Sequence, residues 1–325
     1  MLTRQPEQAL QVSESISSVG QEASRRMVRY DLVVIIANWN AKELLLDCLR
    51  SLPPAIEGLS THTVVVDNAS TDGSVNAVAA TFPKVEIICN QENLGFSRAN
   101  NFALERYRED ARYLLLLNPD TVVSPNTFQN IVSFMDEHSE AGVAGCKIIT
   151  AQGTLDWACK RGFLTPSLLF YKALGLDKRF PQSRRFGRYH LTYLDENQIH
   201  EVDSVVGAFM LIRQDCLRTV GMLDESYFMY GEDIDFCFRV KEKGWKIFYV
   251  PTTTIIHHKG QSTRKRSYRM ICHWYGAIDK FYRKRIAGEH SPATNIVVWC
   301  GLRFMCGMSL LANALRENKK VPSRR

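Results

Sequence analysis

Several common signatures are missing from this sequence, and each absence removes a class of function. No Cys-x-x-Cys pair occurs among the nine cysteines, and their number is odd. A zinc site or a disulfide framework is therefore disfavoured, and reduced thiols in a cytoplasmic protein are expected. No Gly-x-Gly-x-x-Gly follows the first apolar run, which argues against a dinucleotide-dependent dehydrogenase. No Gly-x4-Gly-Lys-Ser/Thr is present, which argues against a P-loop enzyme. There is no internal repeat and no low-complexity tract. The first 28 residues are polar and have no apolar centre, so they do not read as a secretory signal. A disordered tail is expected there. The main part of the chain also lacks a basic excess. Residues 264–325 hold 14 Lys and Arg against 3 Asp and Glu, a net of +11 within a total of +7, which leaves −4 for the rest. Nucleic-acid binding by the main fold thus has no electrostatic support.

What is present is an ordinary globular composition, 45% hydrophobic and 23% charged over 325 residues. From Asp31 onward, strand and helix signals alternate. Strands are expected at 31–37 (DLVVIIA), 62–67, 84–89, 113–117 and 142–150. Helices are expected through KELLLDCLRSL, near 74–80 with Ser70 or Thr71 as N-cap, from about Phe96 to Arg108, and after Ser124-Pro125 with the proline in the first turn. Such alternation implies a mostly parallel sheet with helices on both faces. Residues 151–200 are aromatic and basic with few clear elements, as expected of pocket-shaping loops. Regular signals return in VDSVVGAFMLIR (202–213), in a helix over about 232–243, and in two strands, KIFYV and TTIIHH. Trp245 and Tyr249 read as core, and the cysteines as small buried hydrophobes.

The strand ends carry the chemistry. Asn38 and Asn40 follow the first strand, Asp67 and Asn68 the second, Asn93 the third, and Asn118 and Asp120 the fourth. In open α/β sheets the ligand crevice lies outside the carboxyl ends of the strands. Each of these could instead be turn chemistry. Four successive ends furnished with amides and carboxylates are hard to explain as four unrelated turns. Such groups can hydrogen-bond a base and a ribose, and a carboxylate can hold a divalent cation against a diphosphate.

Seven stretches, VVIIANWNAKELLLDCLRSL, VVVDNASTDGS, NLGFSRANN, LLLLNPDT, VVGAFMLIR, GMLDESYFMYGEDIDFCFRVKEKGWKIFYVP and HHKGQS, run in this order over about 70% of the chain. In this combination the sequence resembles the family 2 glycosyltransferases of the GT-A fold, in their rhamnosyltransferase-like branch. The resemblance implies a GT-A catalytic domain over 29–263, built on a single Rossmann-like, mostly parallel sheet. It implies an inverting transfer of a sugar, rhamnose favoured, from a nucleoside-diphosphate sugar. The acceptor would be lipid-linked or a polysaccharide.

The resemblance also implies roles. Asn118-Pro119-Asp120 stands where the family places Asp-x-Asp, so Asp120 would ligate Mg²⁺ or Mn²⁺, and Asn118 would hydrogen-bond sugar or phosphate. Proline between them fixes the backbone. Asp67 matches the aspartate that contacts the pyrimidine ring, and Asn38, Asn93 and Arg98 match positions near the nucleotide. In GEDIDF, Asp233 matches the general base, with Glu232 and Asp235 beside the acceptor. The other reading of these acids is a helix start favoured by the dipole. Gly207 and Ala208 match a Gly-Ala that lets the acceptor approach the backbone. The pattern His-x-x-Gly-x-Ser falls on His257, Gly260 and Ser262. Neighbouring strand residues face opposite ways, so His257 rather than His258 is the expected second metal ligand.

Residues 264–325 are expected to form a basic helical extension. Within it, 292–315 is long enough to span a bilayer, but it contains Asn295 and Arg303. Two readings stand: an amphipathic helix in the interface of an anionic membrane, or a helix packed on the catalytic domain. The first places the protein at the inner face of the plasma membrane. A catalytically inactive sugar-nucleotide-binding or scaffold protein is the competing function. Asp120, Asp233 and a histidine at family spacing argue against it.

Overall fold

In a computed structural model of the chain, residues 28–258 and 268–318 are described. The expected tail at the N-terminus, Gly260, Ser262 and the basic cluster at 264–266 lie outside the described residues, apart from Val28 of the tail.

One sheet organises residues 30–257. Its strands are β1 (Tyr30–Asn38), β2 (Thr61–Asp67), β3 (Glu86–Cys89), β4 (Ala111–Leu117), β5 (Thr121–Val123), β6 (Ala141–Thr150), β7 (His200–Glu201), β8 (Phe209–Arg213) and β9 (Lys246–His257). The order is β3-β2-β1-β4-β8-β6-β9-β5, with β7 added against β9. Six strands point one way. Only β5, β7 and β8 run against them, so the sheet is mostly parallel as expected. Leu32–Ile36 of β1 and Leu114–Leu117 of β4 are buried. Continuous apolar runs of this kind are what a strand covered on both faces requires.

The covering helices come from the expected segments: α1 (Lys42–Ser51), α2 (Ser74–Thr81), α3 (Gly95–Tyr107) and α4 (Thr127–Glu137). Two starts differ from expectation. The residue before α2 is Gly73, in the left-handed region at φ 80°. Asp72 serves the turn instead, its Oδ1 accepting from Ser74 N at 3.0 Å. Helix α4 starts after Asn126, itself left-handed at φ 58°, so Pro125 stands outside the helix.

Topology places the crevice. The chain steps outward from β1 to β2 and β3, then returns to β4 on the other side of β1. Order reverses between β1 and β4, the switch point where such sheets bind ligands. Asn38 ends one of those strands and Asn118 follows the other.

KIFYV and TTIIHH form one strand, β9, rather than two. Its register against β6 jumps from Cys146↔Val250 to Lys147↔Thr254. Pro251 sits in the gap and has no N–H to give the ladder, so the strand bulges there and resumes. Beyond the bulge β9 also pairs with β5, Thr121 opposite His257.

Later elements are α5 (Pro166–Ala173), α6 (Leu176–Arg179), α7 (Gln214–Val220), α8 (Glu232–Glu242), α9 (Tyr268–Phe281) and α10 (Pro292–Asn318). A second apolar cluster joins four of them. Leu164 and Leu168, Ile234, Phe281, and Val298 with Leu302 pack together at the α5, α8, α9 and α10 contact. Of the cysteines, Cys48, Cys146, Cys159, Cys216 and Cys237 are buried, but Cys89, Cys272 and Cys300 are exposed, against the uniformly buried expectation. Tyr249 is core, and Trp245 is partly buried with its Nε1 donating to Thr219 Oγ1 at 2.9 Å.

Candidate active site

Strand pairing brings the polar ends of β1 and β2 together. Asn38 and Asp67 are register partners at the ends of β1 and β2. Asn38 Nδ2 donates to Asp67 Oδ1 at 2.8 Å, and Ser70 N donates to Asp67 Oδ2 at 2.8 Å. The carboxylate is therefore aimed by its neighbours while each oxygen keeps a second lone pair. Asn93 Oδ1 accepts from Gly95 N at 2.9 Å and so shapes the entry to α3. Arg98, on α3, is exposed and lies 3.3 Å from Glu225 Oε2. An exposed pair of this kind contributes ~0–1 kcal/mol, so the side chain is free to exchange partners.

The β5–β9 pairing creates a second centre. Thr121 stands opposite His257, which brings His257 Nε2 to 3.0 Å from Asp120 Oδ1. His258 contributes only its backbone N–H, to Asp120 O at 2.8 Å. On the far side of the His257 ring, Asp156 Oδ2 lies 3.6 Å from Nδ1, and both side chains are buried.

A third centre sits at the start of α8. Gly231 precedes it at φ 87°, a conformation that side chains rarely adopt. Asp233 Oδ1 accepts from Ile234 N at 2.8 Å, so the helix-start reading holds for that oxygen in part. Oδ2 points elsewhere. It accepts from Arg161 NH2 at 2.7 Å and from Gly207 N at 3.3 Å. Arg161 is buried. Burial works against its charge, but the Asp233 carboxylate outweighs this and holds the guanidinium above its ordinary value. Next door, burial and then the charge of Asp233 push the Glu232 carboxyl up to about 8. Glu232 Oε2 has no hydrogen-bond partner among the described residues, which favours the neutral acid. Burial keeps the proton on Glu232, while Arg161 NH2 stands 2.7 Å from Asp233 Oδ2.

The backbone ties these centres together. Asn118 N donates to Ala208 O at 3.0 Å, and the preceding residue, Gly207, donates to Asp233. Thus a path of four residues links the Asn-Pro-Asp turn to the α8 acid. A Cβ at Gly207 would stand 3.3 Å from the Phe96 ring and 3.7 Å from Asp233 Cβ, so glycine keeps this gap open.

Asp235 corrects an expectation. It is fully buried, with Oδ1 accepting from Arg285 Nε at 2.8 Å and Oδ2 from Arg239 Nε at 3.0 Å. It has no exposed surface for an acceptor. It locks α8 to the segment after α9, and removing one partner of such a buried network costs about 3–5 kcal/mol.

The model of the family described as glycosyltransferase like family 2 matches residues 30–277. The chain belongs to that family. It is 28% identical over 227 residues to the N-acetylglucosaminyl-diphospho-decaprenol L-rhamnosyltransferase of Mycobacterium tuberculosis, covering 66% of this chain and 72% of that one. It is 28% identical over 209 residues to rhamnosyltransferase WbbL of Escherichia coli, covering 61% and 74%. Among solved structures, the fold matches the mannosyltransferase of Pyrobaculum calidifontis, determined with GDP-Man and Mn²⁺, at a TM-score of 0.54 and 16% identity over 92% of this chain and 77% of that one. The protein is a glycosyltransferase with a GT-A fold.

Does this glycosyltransferase have a donor set for a cation? Among the described residues no group of three or more His, Cys, Asp and Glu side chains is arranged to hold one. Asp120 and His257 offer two donors. Mg²⁺ and Mn²⁺ sites that act on phosphates commonly use one or two protein ligands and take the rest from substrate and water. The residues present fit that pattern.

Two side chains of this enzyme escape sequence reasoning. Arg161 and Asp156 lie in the irregular 151–200 segment, where no periodicity marks a position as buried. The usable signal was charge: a Lys-Arg pair amid aromatic residues, in the part of the chain whose net charge is negative.

Proposed function

We propose that the enzyme transfers rhamnose, with inversion, from a nucleoside-diphosphate donor to a lipid-linked acceptor of cell-surface glycan synthesis. The observation that carries the reading is the four-residue path from Asn118 through Ala208 and Gly207 to Asp233. In this reading the path runs from the diphosphate end of the cleft to its base end. The rhamnosyltransferase relatives support the sugar, and the diphospho-decaprenol in one relative's name supports the acceptor class.

In this reading Asp67 and Asn38 hold the base, and Asn118 holds sugar or phosphate. Asp120 and His257 hold Mg²⁺ or Mn²⁺, which when bound neutralises charge on the leaving diphosphate. The acceptor hydroxyl attacks the anomeric carbon from the face opposite the diphosphate. Its proton passes to Asp233 Oδ1, the oxygen with a spare lone pair. The anomeric C–O bond breaks, and the nucleoside diphosphate leaves with the electron pair. Arg161, 2.7 Å from Oδ2, fixes the Asp233 side chain for the proton transfer. Neutral Glu232 can donate to an acceptor oxygen.

The test is a donor panel of dTDP-rhamnose, UDP-glucose and GDP-mannose, each with and without Mn²⁺. Release of nucleoside diphosphate is expected to be fastest from dTDP-rhamnose and to require the cation. Equal rates with UDP-glucose or GDP-mannose would overturn the sugar assignment. Donor binding without any turnover, with or without acceptor, would favour a scaffold.

Helix α10 supports work at a membrane surface. It packs through Val298 and Leu302, while Val297 and Phe304 are each 70% exposed and Ile296, Leu311 and Leu315 are exposed as well. An apolar surface of this size on a helix asks for a cover. Arg303 lies among these residues, its guanidinium 5.5 Å from the Trp299 ring centre. A charge at mid-bilayer costs ~2.5–3.5 kcal/mol even on the lenient scale, and lying in the interface avoids this. The full chain is expected to sediment with anionic vesicles at low salt and to be released at high salt. A Val297→Glu, Phe304→Glu double variant, altered only at exposed positions, should stay in the supernatant. Equal sedimentation of the two proteins would refute the membrane face, and binding that survives high salt and alkaline carbonate would mean a spanning helix.

A further inference from the structure

A basic cavity lies between the start of α5 and the start of α10. Its volume is ≈ 770 Å³, and its walls include Arg184, Arg185 and Arg188, the first turn of α5, and His290 and Thr294 at the start of α10. We propose that this cavity takes the diphosphate of a glycosyl-diphospho-lipid acceptor. The proposal rests on the lipid-linked acceptor reading above and gives that acceptor's phosphates a place.

Charge is the first argument. No carboxylate among the described residues lies within ion-pair distance of Arg184, Arg185 or Arg188. One acid, Glu289, lines the same cavity, so the lining keeps an excess of positive charge. Among the described residues, most other arginines have acidic partners. Three together without one form a ready site for a polyanion, and the guanidinium fork matches phosphate oxygens in pairs.

Order is the second argument. Arg185 Nε donates to Tyr171 Oη at 2.7 Å, and its guanidinium lies 5.3 Å from the Tyr171 ring centre and 5.8 Å from that of Phe186. A fork held in this way loses little freedom on binding. The first turn of the eight-residue helix α5 adds the positive end of its dipole, with Thr165 Oγ1 accepting from Leu168 N at 3.4 Å.

Position is the third. Gly162 N donates to Tyr189 O at 2.9 Å, which stitches the Arg188 loop to the residue after Arg161. Arg161 itself holds Asp233. From Arg161 to Thr165, on the cavity wall, is four residues, at most about 14 Å even if fully extended. That is the scale of a sugar bearing a diphosphate. The reacting hydroxyl would stand at Asp233 and the phosphates at the arginines. The lipid would leave along α10, where Ile296 and Val297 are exposed one turn from Thr294. The same surface thus serves the membrane and the lipid tail.

An anionic phospholipid headgroup offers related phosphate chemistry, so the test must separate the two sources. Farnesyl diphosphate is titrated into the full-length enzyme with saturating nucleoside diphosphate and Mn²⁺ present, which fills the donor site. Wild type is expected to bind it. The R184Q/R185Q/R188Q variant, with thermal melting unchanged, should bind it roughly tenfold more weakly or worse, since each charge-assisted hydrogen bond to phosphate adds substantially to affinity. Its KM for a glycosyl-diphospho-lipid should rise by a similar factor, while its KM for the same sugar as a neutral alkyl glycoside should not change. No binding of farnesyl diphosphate by wild type would overturn the site, and nucleoside diphosphate release from the donor would show whether the proposed function survives. Equal affinity in the variant would overturn it too. If the variant lost sedimentation with phosphatidylglycerol vesicles but kept its affinity for farnesyl diphosphate, the arginines would be reading a headgroup and the assignment would fail.

Discussion

Asp233→Asn is expected to lower kcat by ~10²–10⁴-fold, the usual contribution of a positioned general base. Donor affinity should stay near that of wild type. The replacement keeps the size of the side chain and an oxygen for Ile234 N, but cannot accept the proton of the incoming hydroxyl. It also leaves Arg161 facing a neutral amide at a position where the wild-type oxygen lies 2.7 Å away. A buried charge stripped of its partner costs about 3–5 kcal/mol, so a lower melting temperature should accompany the kinetic loss. Steady-state kinetics on the folded variant, beside donor titration, separates the two effects. A collapse of donor affinity with kcat preserved would make Asp233 a donor-site residue, and the base would have to be sought elsewhere.

Asp120→Ala should be the other severe change. The carboxylate lies 3.0 Å from His257 Nε2, and in the proposed function the two are the protein's donors to the cation. Charge neutralisation by a cation is worth several kcal/mol in such transfers. At ~1.4 kcal/mol per factor of ten, turnover should fall at least ~10²–10³-fold. Donor binding should weaken, and Mn²⁺ binding measured by paramagnetic resonance with nucleoside diphosphate present should be lost. EDTA should reproduce the kinetic effect in wild type. Full activity of the variant in EDTA would refute the metal role.

Strands β1, β2 and β4 were legible because each is an apolar run that meets a polar residue at its end, and burial on both faces demands such a run. LLLL followed by Asn-Pro-Asp is the plainest case, since the run is β4 and the turn faces Ala208 and His257. What escaped notice depends on partners distant in sequence. Thr121–Val123 is too short to announce a strand, yet its pairing with β9 is what carries His257 to Asp120. Asp235 sits two residues from Asp233 in one acidic motif. The turn of the helix sends one toward Gly207 and Arg161, the other into the protein against Arg239 and Arg285. No spacing rule separates them without knowing which face of α8 is covered. Arg161 lies 72 residues before the acid it holds, in a segment with no period at all.

The central claim is a single displacement, with the hydroxyl entering opposite the diphosphate and Asp233 taking its proton. The anomeric configuration of the product tests this most directly. Proton NMR of the glycoside formed from a donor of known configuration should show the opposite configuration at the transferred sugar. A product that retains the donor's configuration would require two displacements or a front-side path, and would contradict the account.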